Sequence, residues 1–197
     1  MSTSISQMRR RTPRPTRTAF VLAGGGNQAV CQVGMLKALL ERGIVPDVLI
    51  GTSAGACNAS VIATMPNLAG VQRLEETWHS LRGDVVFPGG RLSRAWNLLT
   101  RDDHLFENDG LRALIANGST PATFSELRVP LRVVACDLDT GEEVVFAAGP
   151  LEPALLASTA LPGLFPPIRY DGRVLVDGAV VDTVPLSHAL AGPVDRV

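Results

Sequence analysis

A serine framed by two glycines, Gly51-Thr52-Ser53-Ala54-Gly55, is the place where this sequence could do chemistry. The apolar run Val48-Leu49-Ile50 leads into it and small residues follow, which is the strand–turn–helix setting in which G-x-S-x-G forms a nucleophile elbow. Such a turn holds the serine backbone in a strained conformation, so its neighbours must be small. Gly51 and Gly55 carry no side chain and Ala54 almost none. The hydroxyl would then stand above the strand end, at the N-terminus of the next helix, where backbone N–H groups favour developing negative charge. The same five residues also suit a plain βα turn, so other residues must decide between the two.

A nucleophilic serine needs oxyanion donors and a base. Gly24-Gly25-Gly26, between a strand and a helix, can turn backbone N–H groups toward a ligand with no Cβ in the way. The amides of Gly25 and Gly26 are the leading donors of that loop. For the base, Asp177 is the strongest carboxylate: it follows a strand directly and precedes Gly178, and partial burial beside a serine would raise its pKa toward a useful range. A plain turn is the alternative, and Asp171-Gly172 shows how readily the chain makes one. His188 is the other contender, because a Ser-Asp-His triad of the α/β-hydrolase type runs in that order. It lies in the helical run 185–190 and reads better as a structural or surface histidine. A second class of function also competes. Gly24-x-Gly26-x-x-Ala29 satisfies a relaxed dinucleotide fingerprint with Asp47 near the acidic position, but it leaves the glycine-framed serine at the next strand end unexplained.

The elements that must position these residues follow from periodicity and punctuation. Strand patterns at 18–23 and 47–50 alternate with helical patterns at 28–42, stopped by Gly43, and at 54–65, closed by Pro66, so a parallel sheet covered by helices is expected. A further helix is expected over 68–81 and another over 109–116. In the less regular stretch 83–107, Leu92, Ala95, Trp96 and Leu99 recur at helical spacing opposite Arg91, Arg94 and Arg101. An ordinary core-packing helix is the favoured reading there, and a lipid-facing flap the other. Strands at 131–137 and 143–147, joined by Leu138-Asp139-Thr140-Gly141, read as a hairpin. A helix over 150–160, a hairpin of 168–170 with 173–176, and a short helix after Pro185 that breaks at Gly192 complete the pattern. Residues 194–197 look like the start of another strand, so the sheet is expected to be cut short at its C-terminal end.

The chain of 197 residues is 46% hydrophobic with a net charge of −1 and a mean hydropathy of +0.20. Those values suit one well-buried α/β domain and supply no global attraction to nucleic acid. Arg9, Arg10, Arg11, Arg14 and Arg17 crowd residues 1–17, which read as a disordered basic leader with no apolar signal segment, ahead of a domain at 18–197. Residues 48–72 carry no charge, but Gly, Ser, Asn58, Pro66 and Asn67 interrupt them as no membrane span would be interrupted. Cys31, Cys57 and Cys136 are odd in number and form no C-x-x-C, so reduced, buried thiols in a cytoplasmic protein are expected. His79, His104 and His188 show no paired ligand spacing, and Asp102-Asp103-His104 reads as a turn, so no metal and no cofactor are expected.

With the motifs placed, everything after the basic leader resembles the patatin-like phospholipase family. The glycine loop Gly24-Gly25-Gly26, the elbow with Gly51, Ser53 and Gly55, and the segment Asp177-Gly178-Ala179 come in that family's order. The stretches 157–167 (ASTALPGLFPP) and 177–185 (DGAVVDTVP) are similar to it as well. The resemblance implies a three-layer α/β/α fold with a mostly parallel central sheet and a Ser53–Asp177 dyad without histidine. It further implies hydrolysis of lipid or phospholipid esters through an acyl-serine, with no metal cofactor and at most a peripheral membrane contact. Residues 161–165 and the Trp96 segment would then form the acyl channel. The glycine loop departs from the family's usual continuation, a basic residue and then glycine, by having Gln28 and Ala29.

Overall fold

The computed structural model describes residues 16–81, 108–117 and 120–197. Arg9, Arg10, Arg11 and Arg14 of the leader, the stripe of Leu92, Ala95, Trp96 and Leu99, and Asp102-Asp103-His104 lie outside the described residues.

Short apolar, β-prone runs build the sheet. β1 (Ala19–Leu22) pairs in parallel with β2 (Val48–Thr52), and β2 in parallel with β3 (Leu131–Asp137). β4 (Glu143–Phe146) returns antiparallel along β3 from the Leu138–Gly141 turn, where the Asp137 carboxylate accepts from the Asp139 and Thr140 amides. β5 (Ile168–Tyr170) and β6 (Arg173–Asp177) form the second hairpin. Its turn residues Asp171 and Gly172 both adopt positive φ, as a tight hairpin turn demands.

The register along β3 decides the site. Val134 pairs with Thr52 and Val145, whereas Ala135 pairs with Val144 and Asp177. A strand residue has two lateral neighbours, so β4 flanks one edge of β3 from Val133 to Cys136. The other edge is shared, by β2 first and by β6 after it. β2 runs parallel to β3 and β6 antiparallel, so their C-terminal ends meet head to head.

Six helices accompany the sheet among the described residues: α1 (Cys31–Glu41), α2 (Ala54–Thr64), α3 (Leu68–Ser80), α4 (Asp109–Asn117), α5 (Leu151–Thr159) and α6 (Leu186–Leu190). Alternation along the strands sends Phe20, Leu22, Leu49 and Val133 into the main core with Leu36, Ile62, Leu74 and Leu155. Their in-between neighbours Ala19, Ile50 and Val134 pack on the opposite face against Ala189 of α6. The result is α/β/α layering around a mixed sheet in which β1, β2 and β3 are parallel and β4, β5 and β6 join by antiparallel pairing, with the heavier helical layer on one side. Full burial of a Leu or Ile such as Leu155 or Ile62 contributes about 1.5–3 kcal/mol.

The expected elements recur with shifted ends. The helix expected from 28 begins as a 3₁₀ turn (Gly26–Val30) and becomes α-helical only at Cys31. β2 runs on to Thr52, directly under the serine. The strand expected at 194–197 is a single parallel bridge between Arg196 and Thr18, with the Ala19 amide donating to the Arg196 carbonyl at 2.8 Å. Among the described residues no helix is long and apolar enough to cross a membrane.

Candidate active site

Ser53 has φ 54° and ψ −130°, a conformation that L-residues avoid. Close packing holds it there. A Cβ on Gly51 would stand 2.6 Å from the Ala56 Cα, and one on Gly55 would stand 2.2 Å from the Leu22 carbonyl oxygen. Both glycines are therefore required by backbone approach, as the elbow reading expects. The strained turn points the Ser53 amide out of the helix, and it donates to Ser158 Oγ at 2.8 Å. Ser158, fully buried on α5, donates its own proton to the Val134 carbonyl at 2.6 Å. One hydroxyl thereby joins the elbow to the central strand.

The head-to-head meeting of β2 and β6 brings Ser53 and Asp177 together across 124 positions of sequence. Ser53 Oγ donates to Asp177 Oδ2 at 2.7 Å, and the other carboxylate oxygen accepts from the Ala179 amide at 2.8 Å. Asp177 is 2% exposed. That burial raises its pKa above the ordinary carboxylate value, while the bonds from the Ala179 amide and the Ser53 hydroxyl oppose the rise. A serine hydroxyl in contact with such a group has an acceptor for its proton. Nearby Cys57, half-buried, has its thiol pushed up to about 12 by desolvation first and by the Asp177 charge second, so it stays protonated.

The triple glycine lies against this pair. The position a Gly24 Cβ would take is 3.3 Å from Ser53 Cβ and 3.5 Å from Ala179 Cβ. Of the three residues expected at an oxyanion loop, Gly24 is not a free donor: its amide is committed to the Thr183 carbonyl at 2.9 Å. The amides of Gly25 and Gly26 donate to no described residue and open the 3₁₀ turn. Thr52 Oγ1 donates to the Asp182 carbonyl at 2.9 Å. The segment after Asp177 thus straps both the glycine loop and the elbow.

A cavity of about 840 Å³ opens at Ser53 and Asp177, walled by Val61, Leu74, Trp78, Leu155, Leu164 and Phe165 among others. Leu161, Leu164 and Phe165 of the stretch expected to form an acyl channel all face it.

Two rival assignments are not supported by position. His188 Nε2 bonds Glu143 at 2.9 Å and the residue does not line the cavity, so His188 stands apart from the Ser53–Asp177 pair. Asp47 sits before β2 and caps the Thr18 amide at 2.7 Å, at the opposite strand end from the glycine loop. It cannot serve a dinucleotide bound at Gly24–Gly26. Glu143 of β4, His188 of α6 and Asp182 of the loop between β6 and α6 place ligand atoms within 4.8 Å of one another and are the described group able to offer three ligands to a cation; none of them lines the cavity.

Sequence reasoning did not single out Ser158. Its signal was a small polar residue which, with Thr159, interrupts the apolar run 154–160, a pattern that marks burial without naming a partner.

The α/β sheet thus sets a strained serine at one strand end against a buried aspartate at the facing one. The family model for patatin-like phospholipase matches residues 20–190, and the chain belongs to that family. An uncharacterized NTE family protein of Mycobacterium tuberculosis is 32% identical over 181 residues, covering 87% of this chain and 45% of that protein. Patatin-like phospholipase domain-containing protein 7 of Rattus norvegicus is 28% identical over 173 residues, covering 87% of this chain and 12% of the relative. The chain thus spans less than half the length of these relatives. Among solved structures, VipD from Legionella pneumophila matches with a TM-score of 0.53 at 16% identity, over 87% of this chain and 47% of that one, a likeness of fold.

Proposed function

We propose that this chain is a serine acyl hydrolase of lipid esters, phospholipids included, working through a Ser53–Asp177 dyad. The observation that carries the reading is the 2.7 Å contact between Ser53 Oγ and Asp177 Oδ2 in the lining of a largely apolar cavity. Family membership supports a lipid substrate. Ser53 Oγ attacks the ester carbonyl carbon as Asp177 takes the hydroxyl proton, and the amides of Gly25 and Gly26 hold the oxyanion. Collapse of the tetrahedral species expels the alcohol, which leaves with the proton from Asp177. The acyl group remains on Ser53. Asp177 then takes a proton from water, the hydroxide equivalent attacks the acyl carbonyl, and the acid departs as Ser53 recovers its proton.

Raising the pKa of Asp177 by burial makes it a better base than a free aspartate. The largely apolar cavity walls suit an acyl chain. The lack of a basic residue at Gln28 leaves stabilisation of the oxyanion to backbone donors.

The test is labelling with a fluorophosphonate and hydrolysis of a short-chain ester by the wild type and by Ser53→Ala, Asp177→Ala and His188→Ala. Labelling at Ser53 and loss of turnover in the first two variants, with His188→Ala retaining it, is the expected pattern. A folded wild type that neither labels nor turns over an ester would instead make the chain a silent lipid-binding relative. Loss in His188→Ala as well as in Ser53→Ala would make it a triad esterase.

A further inference from the structure

Two buried amide side chains and an indole lie behind the glycine loop, and no step of the chemistry above involves the hydrogen bonds they make. Gln32, on α1, is 8% exposed and Asn58, on α2, is 2% exposed. Asn58 Nδ2 donates to the Ala29 carbonyl at 3.0 Å and to Gln32 Oε1 at 2.9 Å. Gln32 Nε2 donates to the Ala23 carbonyl at 2.8 Å. Trp78 Nε1 of α3 donates to Asn58 Oδ1 at 2.9 Å.

The pattern leaves one orientation for each amide. Turning Asn58 over would face its oxygen toward the Ala29 carbonyl and its NH₂ toward the indole N–H, and turning Gln32 over would set its oxygen against Ala23. Every polar atom of Asn58 is then satisfied, which is the condition under which a buried network rigidifies its surroundings. The two carbonyls gripped by the amides, Ala23 and Ala29, flank Gly24-Gly25-Gly26. The residue that grips Ala29 sits on the helix that the elbow starts.

We infer that Gln32, Asn58 and Trp78 are positioning residues, a buried hydrogen-bond chain that fixes the glycine loop to the nucleophile's own helix. This rests on the hydrolase reading, because the loop matters as an oxyanion hole only if Ser53 is acylated. The physical need is specific. Glycines 24–26 have the conformational freedom to turn their amides toward an anion, and that same freedom would let them turn away. Oxyanion donors are effective when their orientation is set before charge develops. Trp78 and Asn58 also line the cavity, so the chain's outer end lies where an acyl group would rest.

The experiment pairs Gln32→Met, which keeps the side chain's length and removes both its hydrogen bonds, with Trp78→Phe, which removes the outermost one. Amide hydrogen exchange over residues 23–30 is read first, by mass spectrometry, because it needs no catalysis. Exchange there should quicken about tenfold or more in Gln32→Met and by a smaller factor in Trp78→Phe. On a short-chain ester, kcat should fall about 10- to 100-fold in Gln32→Met and about threefold in Trp78→Phe, with KM within about twofold. Val129→Ala, a core truncation in the loop before β3, serves as the matched control: it should lower Tm while leaving both readouts unchanged. Wild-type exchange over 23–30 in the two variants, or a kcat loss that Val129→Ala reproduces at equal Tm, overturns the inference. If Gln32→Met does not fold, the exchange of Trp78→Phe decides. A wild type that hydrolyses no ester refutes the hydrolase reading instead, and the exchange rates still decide, separately, whether the amide chain holds the loop.

Discussion

Replacing Gly178 by alanine should disable the site without touching either dyad side chain. A Cβ at that position would lie 2.3 Å from the Val134 carbonyl oxygen and 2.7 Å from its carbon, against the 3.4 Å at which ordinary contact begins. Val134 cannot yield, because β2 and β4 hold β3 from both sides at that residue and Ser158 bonds the same carbonyl. The turn carrying Asp177 must therefore retreat by about 1 Å. The Ser53–Asp177 contact of 2.7 Å would then exceed hydrogen-bond reach. A misplacement of this size costs about 100-fold in rate. The overpacking itself should destabilise the fold by about 1–3 kcal/mol, with Tm falling by about 2–4 °C for each kcal/mol. Turnover of a short-chain ester, measured well below both melting temperatures and normalised to correctly folded protein, reads the effect. Gly172→Ala is the comparison. It lies in the chain's other Asp-Gly turn at φ 75°, with nothing within 4 Å of the added methyl, so it should lose stability through strain and keep its kcat. A Gly178→Ala enzyme with kcat within about twofold of wild type would refute the argument that this glycine sets the aspartate's position.

Asp177→Asn should abolish turnover and raise Tm at neutral pH. The folded-state pKa of Asp177 lies above the unfolded value, so its favourable contribution is complete below the unfolded pKa and is lost as pH rises through the folded one. Asparagine never ionises, and melting curves should show its advantage shrinking as pH falls toward about 4. By the same shift, the acid limb of wild-type kcat/KM should have an apparent pKa above that of a free aspartate; a limb at or below it would count against Asp177 as the base. Ser158→Ala strands the Ser53 amide and the Val134 carbonyl in a buried place, which should cost about 1–3 kcal/mol in denaturant unfolding and lower kcat more than it raises KM. Unchanged unfolding and kcat would show that the bridge is dispensable. With iodoacetamide at about pH 8, exposed Cys31 should alkylate well before Cys57, whose thiol is held protonated. Rapid modification at Cys57 in folded protein would contradict the account of its surroundings.

Much of this molecule was legible one-dimensionally because its causes are local. A glycine on each side of Ser53, a strand-sized apolar run before it and small residues after it are consequences of one tight turn. The turn's demands act over five residues. The hairpin at 138–141 and the helix stop at Gly43 are local in the same way, since each depends on φ and side-chain periodicity within a few positions. Element ends were less legible. The 3₁₀ start at Gly26 and the extension of β2 to Thr52 depend on what the neighbouring strand and loop accept.

The contact itself belongs to the tertiary structure, which brings Asp177, and neither Asp171 nor His188, to the serine. Asp171-Gly172 and Asp177-Gly178 read alike as letters; the difference arises because β6 takes over the edge of β3 where β2 leaves it. His188, on α6, is partnered with Glu143, and Asp47 precedes β2 at the far strand end. Gly24 was expected among the oxyanion donors, but the strap folds back far enough for the Thr183 carbonyl to take its amide. Ser158, Gln32, Asn58 and Trp78 escaped notice for one physical reason. A buried polar side chain is defined by partners remote in sequence, and its letter announces the need for a hydrogen bond without saying to whom.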